Sequence, residues 1–95
     1  MDDKIIIEKV EKYAKITKKG IDEIKVKPNL NEKEKKIALD FLSMAKNYYS
    51  DGLFFKEKKD YLTALASFSY AHAWLDSGVR AHLFDATDDQ LFTLP

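Results

Sequence analysis

The 95-residue sequence has no cysteine, only two prolines and three glycines, and no long apolar run. Without cysteine it has no disulfide framework, no thiol nucleophile and no thiolate metal site. Its N-terminal apolar run consists of the three isoleucines 5–7. This run is far shorter than the roughly 18 apolar residues of a membrane span and shorter than the apolar stretch of a signal peptide. A chain of this length has room for one core. We therefore expect one cytoplasmic domain over residues 1–95, without membrane contact.

The charges balance over the whole chain but not along it. Residues 1–59 hold all fifteen lysines and eleven acidic residues, whereas residues 60–95 hold one arginine and five acidic residues. Phosphate-binding proteins usually show an uncompensated basic face with arginine, which this neutral chain lacks. We interpret the lysines of the first helix as a solvated surface and keep nucleic-acid binding through them as the rival hypothesis. These are Lys9, Lys12, Lys15, Lys18 and Lys19.

Three stretches have the period of amphipathic helices, which we predict over residues 3–25, 32–57 and 61–84, followed by a tail over 85–95. Pro28 disfavours helix at the residue before it. Asn31 followed by Glu34 is the pattern of a capping box, and Asp60 is placed to cap the third helix. The third helix has no charged residue from Tyr61 to Leu75 and is predicted to be the most buried.

Small residues recur every seven positions in the second and third helices. If the chain folds back near Lys58, antiparallel packing brings these residues together in layers that alternate with large side chains, and the axes can approach closely. We therefore predict an all-α, up-and-down three-helix bundle with a tight hairpin of helices two and three. The predicted pairs are Gly52 with Ala64, Ala45 with Ala71, Ala38 with Gly78, Tyr48 with Phe68, and Phe41 with Leu75.

Two resemblances attach to this hairpin. The first is to a single tetratricopeptide unit, from which the chain departs at Lys59 and Asp76; a repeat array needs about three such units, so only similar packing is implied. The second concerns residues 60–80 and the preceding 48–55, which resemble the archaeal family known as domain of unknown function 357. That resemblance covers about residues 32–84 and implies a small helical bundle in an archaeal cytoplasm. The family has no assigned activity or ligand, so the resemblance leaves the function open. The spacing similar to the tetratricopeptide unit involves Tyr48, Gly52, Phe55, Tyr61, Ala64, Phe68 and Ala71.

His72 is the residue with the most chemical potential. It has Asp76 one helical turn further on and Arg80 another turn beyond, so the three form a candidate polar site. A metal site needs three or four converging ligands, and catalysis needs a further group in a cleft, neither of which the sequence supplies. We expect a structural, hydrogen-bonded histidine and keep a ligand contact and catalysis as alternatives. No catalytic residue, metal, cofactor or small-molecule ligand is predicted.

The third helix carries a second apolar face, opposite Phe68 and Leu75, that must also be covered. The first helix, the tail residues Leu91, Phe92 and Leu94, a protein partner or a second copy of the chain could cover it. We predict a small non-catalytic interaction module that uses this face for protein association. The candidate partner-binding residues are Tyr70, Trp74, Ala66, Ser77 and Ala81.

Overall fold

Three helices and one short pair of strands make up the part of the chain that the structure describes. A computed structural model of the chain describes residues 3–88 and 91–92. The prediction of an all-α three-helix bundle is confirmed, and its closest packing is between the second and third helices. In chain order the elements are α1 (Asp3–Glu23), β1 (Lys25–Val26), α2 (Glu32–Glu57), α3 (Tyr61–Arg80) and β2 (Phe84–Asp85).

Side-chain caps begin the second and third helices. The Glu34 amide donates to the Asn31 side chain at 2.8 Å, and the Asn31 amide donates to the Glu34 carboxylate at 3.0 Å. This reciprocal pair satisfies backbone donors that the first turn of a helix leaves open. At α3 the Asp60 carboxylate accepts from the Thr63 amide at 3.3 Å. Both capping predictions are confirmed.

The turn that follows each of these helices contains a residue with left-handed backbone conformation. The turn after α2 contains Lys59 at φ 63°, and the turn after α3 contains His82 at φ 61°. In each turn the next amide reaches back five residues: Asp60 donates to the Phe55 carbonyl and Leu83 to the Gly78 carbonyl, each at 2.9 Å. These bonds define Schellman motifs, in which glycine is the usual left-handed residue. The second motif ends α3 at Arg80, four residues before the predicted end.

A two-stranded antiparallel ladder, absent from the sequence prediction, joins the chain after α1 to the chain after α3. Lys25 pairs with Asp85 and Val26 with Phe84, and the Lys27 amide extends the ladder by donating to the Leu83 carbonyl at 3.0 Å. Helix α1 accordingly ends at Glu23 rather than at residue 25. The ladder satisfies backbone groups that the end of a helix would leave open.

The hairpin of α2 and α3 folds back at Lys58 and buries its small residues. The ring contacts across the hairpin are ones that the prediction did not name. Gly52 faces Phe68, whose ring lies where a side chain at Gly52 would be. A large ring lies opposite glycine because the volume of the ring, and not only its position along an antiparallel hairpin, decides which partner fits. The buried small residues are Ala38, Ala45, Gly52, Ala64, Ala71 and Gly78. The ring pairs are Tyr48 with Tyr70, Tyr49 with Phe68, and Phe41 with Trp74.

Helix α1 adds the third wall and packs mainly against α3. Thr17, in the middle of its buried stripe, is fully enclosed and donates its hydroxyl to the Phe68 carbonyl at 3.4 Å. This bond gives a buried polar group the partner that it needs. Among the described residues, no helix combines the length and apolar character that crossing a membrane requires.

Buried side chains fall into two clusters along the 47 Å length of the bundle. The closed-end core lies near the Lys58 turn and the open-end core at the other end of the hairpin. The closed-end core consists of Ile6, Val10, Ala14, Ala64 and Phe68. The open-end core consists of Ile24, Ala38, Ala45, Leu75, Val79, Leu83, Phe84, Leu91 and Phe92.

Candidate functional site

The outer face of α3 is the most unusual surface of the bundle. Exposed residues follow one another along it at helical spacing, and none of those between Tyr61 and Leu75 carries a charge. The largest are Leu62 and Tyr70, with 63% and 61% of their surface exposed. The outer faces of α1 and α2 carry many lysines and acidic residues instead. The exposed uncharged residues of α3, which we name the α3 face, are Leu62, Ala66, Ser69, Tyr70, Ala73, Ser77 and Ala81.

The structure brings four of the five candidate partner-binding residues onto this face. Ala66, Tyr70, Ser77 and Ala81 are exposed, whereas Trp74 is half-buried. The Trp74 ring meets Phe41 of α2 edge to face, with 5.0 Å between ring centroids. The Trp74 ring therefore takes part in the packing of α3 against α2.

Tyr70 lies at the border between the hairpin and solvent. Its ring stacks on that of Tyr48 in α2, at 5.3 Å between centroids and an interplanar angle of 21°. Stacking fixes the ring and leaves its outer face open, as in the rigid aromatic anchors of protein interfaces. Tyr70 is thus held in position with much of its ring exposed to solvent.

In the candidate polar site, His72 and Asp76 approach each other without forming a hydrogen bond. The His72 Nε2 donates to the Leu91 carbonyl, while the nearest Asp76 oxygen is 3.8 Å away, beyond hydrogen-bonding distance. Its other nitrogen, Nδ1, is buried without a hydrogen-bond partner. Arg80 lies exposed in the last turn of α3. Within residues 3–88 and 91–92, no three His, Asp or Glu side chains are grouped to hold a metal ion.

His72 instead holds the C-terminal segment, which the sequence left open between a frayed and a docked end. Leu91 and Phe92 are buried, and the Phe92 ring lies nearly parallel to the His72 imidazole at 6.1 Å. Leu94, the third predicted tail residue, lies outside the described residues. Sequence reasoning missed Gly20 of α1, whose missing side chain leaves room for Phe92. A glycine within the apolar stripe of α1 was the available signal.

The lysines of α1 line a groove of about 600 Å³ between α1 and α2, and acidic side chains share it. Lys18 contacts Asp22 at 2.7 Å, and Lys56 of α2 reaches Glu11 at 3.0 Å. The hydrogen bond and opposite charge of Asp22 raise the pKa of the Lys18 ammonium. The contact with Asp22 compensates the charge of Lys18, which is one of the five α1 lysines of the nucleic-acid hypothesis.

Comparison with known proteins gives one match. The family model described as "Protein of unknown function (DUF357)" matches residues 12–84, which include most of α1, both other helices and the first residue of β2. No curated protein and no solved structure matches the chain.

Proposed function

Because the chain belongs to the DUF357 family, whose description assigns no activity, we propose a function from its own geometry: a small non-catalytic module that associates with proteins through the α3 face. The uncharged outer surface of α3 carries this proposal. A helix at the surface of a bundle normally turns charged and polar side chains toward water. Helix α2 also exposes apolar residues such as Leu39 and Phe54, but charged residues lie among them on its outer face. An exposed apolar row of this kind is typical of a surface that another molecule covers.

The proposed partner is a second copy of the chain. A face without charge meets its own copy without like-charge repulsion, and isologous two-fold contacts are the commonest form of self-association. Ala66 and Ala73 stand on either side of Tyr70, so an antiparallel copy of α3 places small residues beside the two tyrosine rings. Small residues let two helices approach closely.

The available area indicates a weak contact. A 20-residue helix is about 30 Å long, and one face about 10 Å wide offers roughly 300 Å². Stable interfaces bury about 800 Å² on each partner. We therefore expect transient association, with a dissociation constant in the high micromolar range.

The non-catalytic part of the proposal rests on the use of His72. His72 is the candidate general base, and its Nε2 donates a hydrogen bond to the Leu91 carbonyl. Asp76 is too far from this nitrogen to orient the ring by a hydrogen bond. General acid or base catalysis requires a side chain within hydrogen-bonding reach of a substrate proton.

Sedimentation equilibrium over roughly 10 µM to 1 mM tests the association. We expect a monomer–dimer equilibrium in the parent and a monomer in Tyr70→Lys, because the substitution places two like charges at the centre of the contact. Leu39→Lys is the matched control, since Leu39 is an apolar residue of α2 with 56% exposure. A parent that stays monomeric at 1 mM, or a Tyr70→Lys variant that dimerises like the parent, would refute self-association through the α3 face.

A further inference from the structure

The open end of the bundle contains a groove between α1 and α3 that is filled by the chain's own C-terminal segment. Leu91 and Phe92 lie in it, although they follow the last helix by more than ten residues. Phe92 lies beside Gly20 of α1 and Leu75 of α3 also meets the space at that glycine. The groove therefore shows directly what kind of side chains it accepts: an aliphatic residue followed by an aromatic one.

Two of the contacts in this groove are those of a peptide-binding site. The hydrogen bond from His72 Nε2 goes to the backbone carbonyl of Leu91, and any residue can supply that acceptor. The imidazole also lies nearly parallel to the Phe92 ring, which selects a flat side chain. Docked peptides are commonly held by main-chain bonds for affinity and side-chain pockets for specificity.

The segment is held to the rest of the chain by a short connection without regular structure. Residues 86–88 belong to neither helix nor strand, and the Leu91 and Phe92 amides both donate to the Asp88 carbonyl, at 3.1 and 3.0 Å. A segment tethered by so few residues competes with external ligands at an effective concentration on the order of millimolar. An external peptide that binds better than the tail can therefore replace it.

The charge around the groove favours a ligand other than the tail. A cavity of about 650 Å³ beside Phe92 is lined by Asp22 and Glu23 of α1 together with Asp85 and Asp88 from the tail side, and Lys25 is the one basic side chain there. These acidic residues form no metal site within the described part of the chain. Asp88 belongs to the segment that would be displaced, and Asp22 contacts Lys18 at 2.7 Å, so the lining that stays behind is Asp22, Glu23 and Asp85 with Lys25. That remaining acidic excess attracts a ligand with lysine or arginine before its apolar pair more than it attracts the Asp-Asp start of the tail.

We propose that this groove is a docking site for a partner protein's peptide segment in which basic residues precede an aliphatic–aromatic pair. The chain's own Leu91–Phe92 is an intramolecular occupant that such a segment displaces. This site is distinct from the α3 face, so the two proposals can fail separately.

The first experiment uses the full-length chain with 4-fluorophenylalanine at position 92 and ¹⁹F NMR. The probe is the peptide Lys-Lys-Gln-Leu-Phe-Thr-Leu, which is the sequence of residues 88–94 with both aspartates replaced by lysine. We expect a new resonance from the displaced ring, and its intensity should reach half of its final value at peptide concentrations on the order of millimolar. The matched peptide with serine in place of Leu and Phe should give none. An unchanged spectrum at 5 mM basic peptide, about fivefold above that expectation, overturns the proposal.

The charge argument has its own control. The peptide with the natural Asp-Asp start should displace the ring at severalfold higher concentration than the basic peptide at low salt. The difference should shrink at about 0.5 M salt, where the screening length falls well below 10 Å. Equal potency of the two peptides at low salt contradicts the basic specificity.

A second experiment removes the competitor. Phe92→Ala vacates the aromatic position, so a fluorescent basic peptide should bind at least about tenfold more tightly than to the parent, as measured by anisotropy. Adding His72→Phe keeps a ring but removes the donor, and should weaken peptide binding about threefold to tenfold. Circular dichroism reports whether each variant is folded. A folded Phe92→Ala variant that binds no more tightly than the parent overturns the proposal, and if the variant is unfolded the ¹⁹F experiment on the full-length chain decides.

Discussion

The closed-end and open-end cores bury similar kinds of side chain but are assembled differently. Every residue of the closed-end core lies in a helix. The open-end core adds residues beyond the last helix, namely Leu83, Phe84, Leu91 and Phe92. Packing of three helices is thus sufficient at the closed end, whereas the open end also depends on the chain returning twice to the bundle.

Each core also contains a glycine beneath an aromatic ring, and the two glycines have different roles. At the closed end, Gly52 of α2 lies against Phe68 of α3, so the missing side chain sets the distance between two helices. At the open end, Gly78 lies against Phe84, which follows it by six residues in the same chain. The missing side chain there lets the chain turn back over its own helix. Substitutions at these glycines should therefore have different consequences.

The largest effect is expected from Gly52→Leu. A side chain here overlaps the ring of Phe68, which is fully buried. Overpacking costs about 1–3 kcal/mol and more when the neighbour cannot move, so we expect the unfolding free energy to fall by about 3 kcal/mol or more. Urea unfolding followed by circular dichroism measures this change. Ser50→Leu, at an exposed position of the same helix, is the control. Similar midpoints for the two variants would show that Gly52 does not set the helix spacing.

Gly78→Ala should have a smaller and more local effect. The added methyl group overlaps the ring of Phe84, which is buried but belongs to a two-residue strand, whereas Phe68 lies in the middle of a helix. We expect a loss of about 1–3 kcal/mol. Amide hydrogen exchange should accelerate at Lys27, whose amide bonds to the Leu83 carbonyl, more than in the middle of α2. A uniform loss of protection would mean that the two ends unfold as one unit. Phe84→Leu in the same chain should recover part of the stability, since the smaller side chain leaves room for the methyl group.

Local signals in the sequence were sufficient for the closed end. The capping residues Asn31 and Asp60 and the helical periods are read within a few residues, and they determine where α2 and α3 begin. The small residues were correctly expected to be buried. The contact of Phe68 with Gly52 was not predicted, because it depends on the volume of the ring and on the positions of both helices together.

The open end lacked such signals. Two-residue strands are too short to show a period, so Lys25–Val26 and Phe84–Asp85 could not be recognised. The turn at His82 has no glycine to mark it. The same limit applies to the candidate site: the uncharged row that forms the α3 face is visible in sequence, whereas the contact of Trp74 with Phe41 and of His72 with Leu91 requires the fold.

The smallest predicted effect concerns the two left-handed turns, Lys59 at the closed end and His82 at the open end. A residue with a side chain is strained there by roughly 1–2 kcal/mol, whereas glycine is not. Because glycine also gains more entropy on unfolding, Lys59→Gly and His82→Gly should each stabilise the chain by only about 0.5–1 kcal/mol. For a domain of this size that raises the melting temperature by roughly 2–8 °C.

The neighbouring cap residues provide matched controls for these substitutions. Lys58 and Ala81 have negative φ, at −79° and −82°, so Lys58→Gly and Ala81→Gly should not stabilise the chain. Relief of strain in a segment that has already unfolded locally does not change the free energy of global unfolding. Equal increases in that free energy from Lys59→Gly and His82→Gly would therefore mean that both ends stay folded until global unfolding. A gain at Lys59 alone would identify the open end as the part that opens first. That result would agree with its dependence on a returning chain, whereas a gain at His82 alone would reverse the comparison between the two cores.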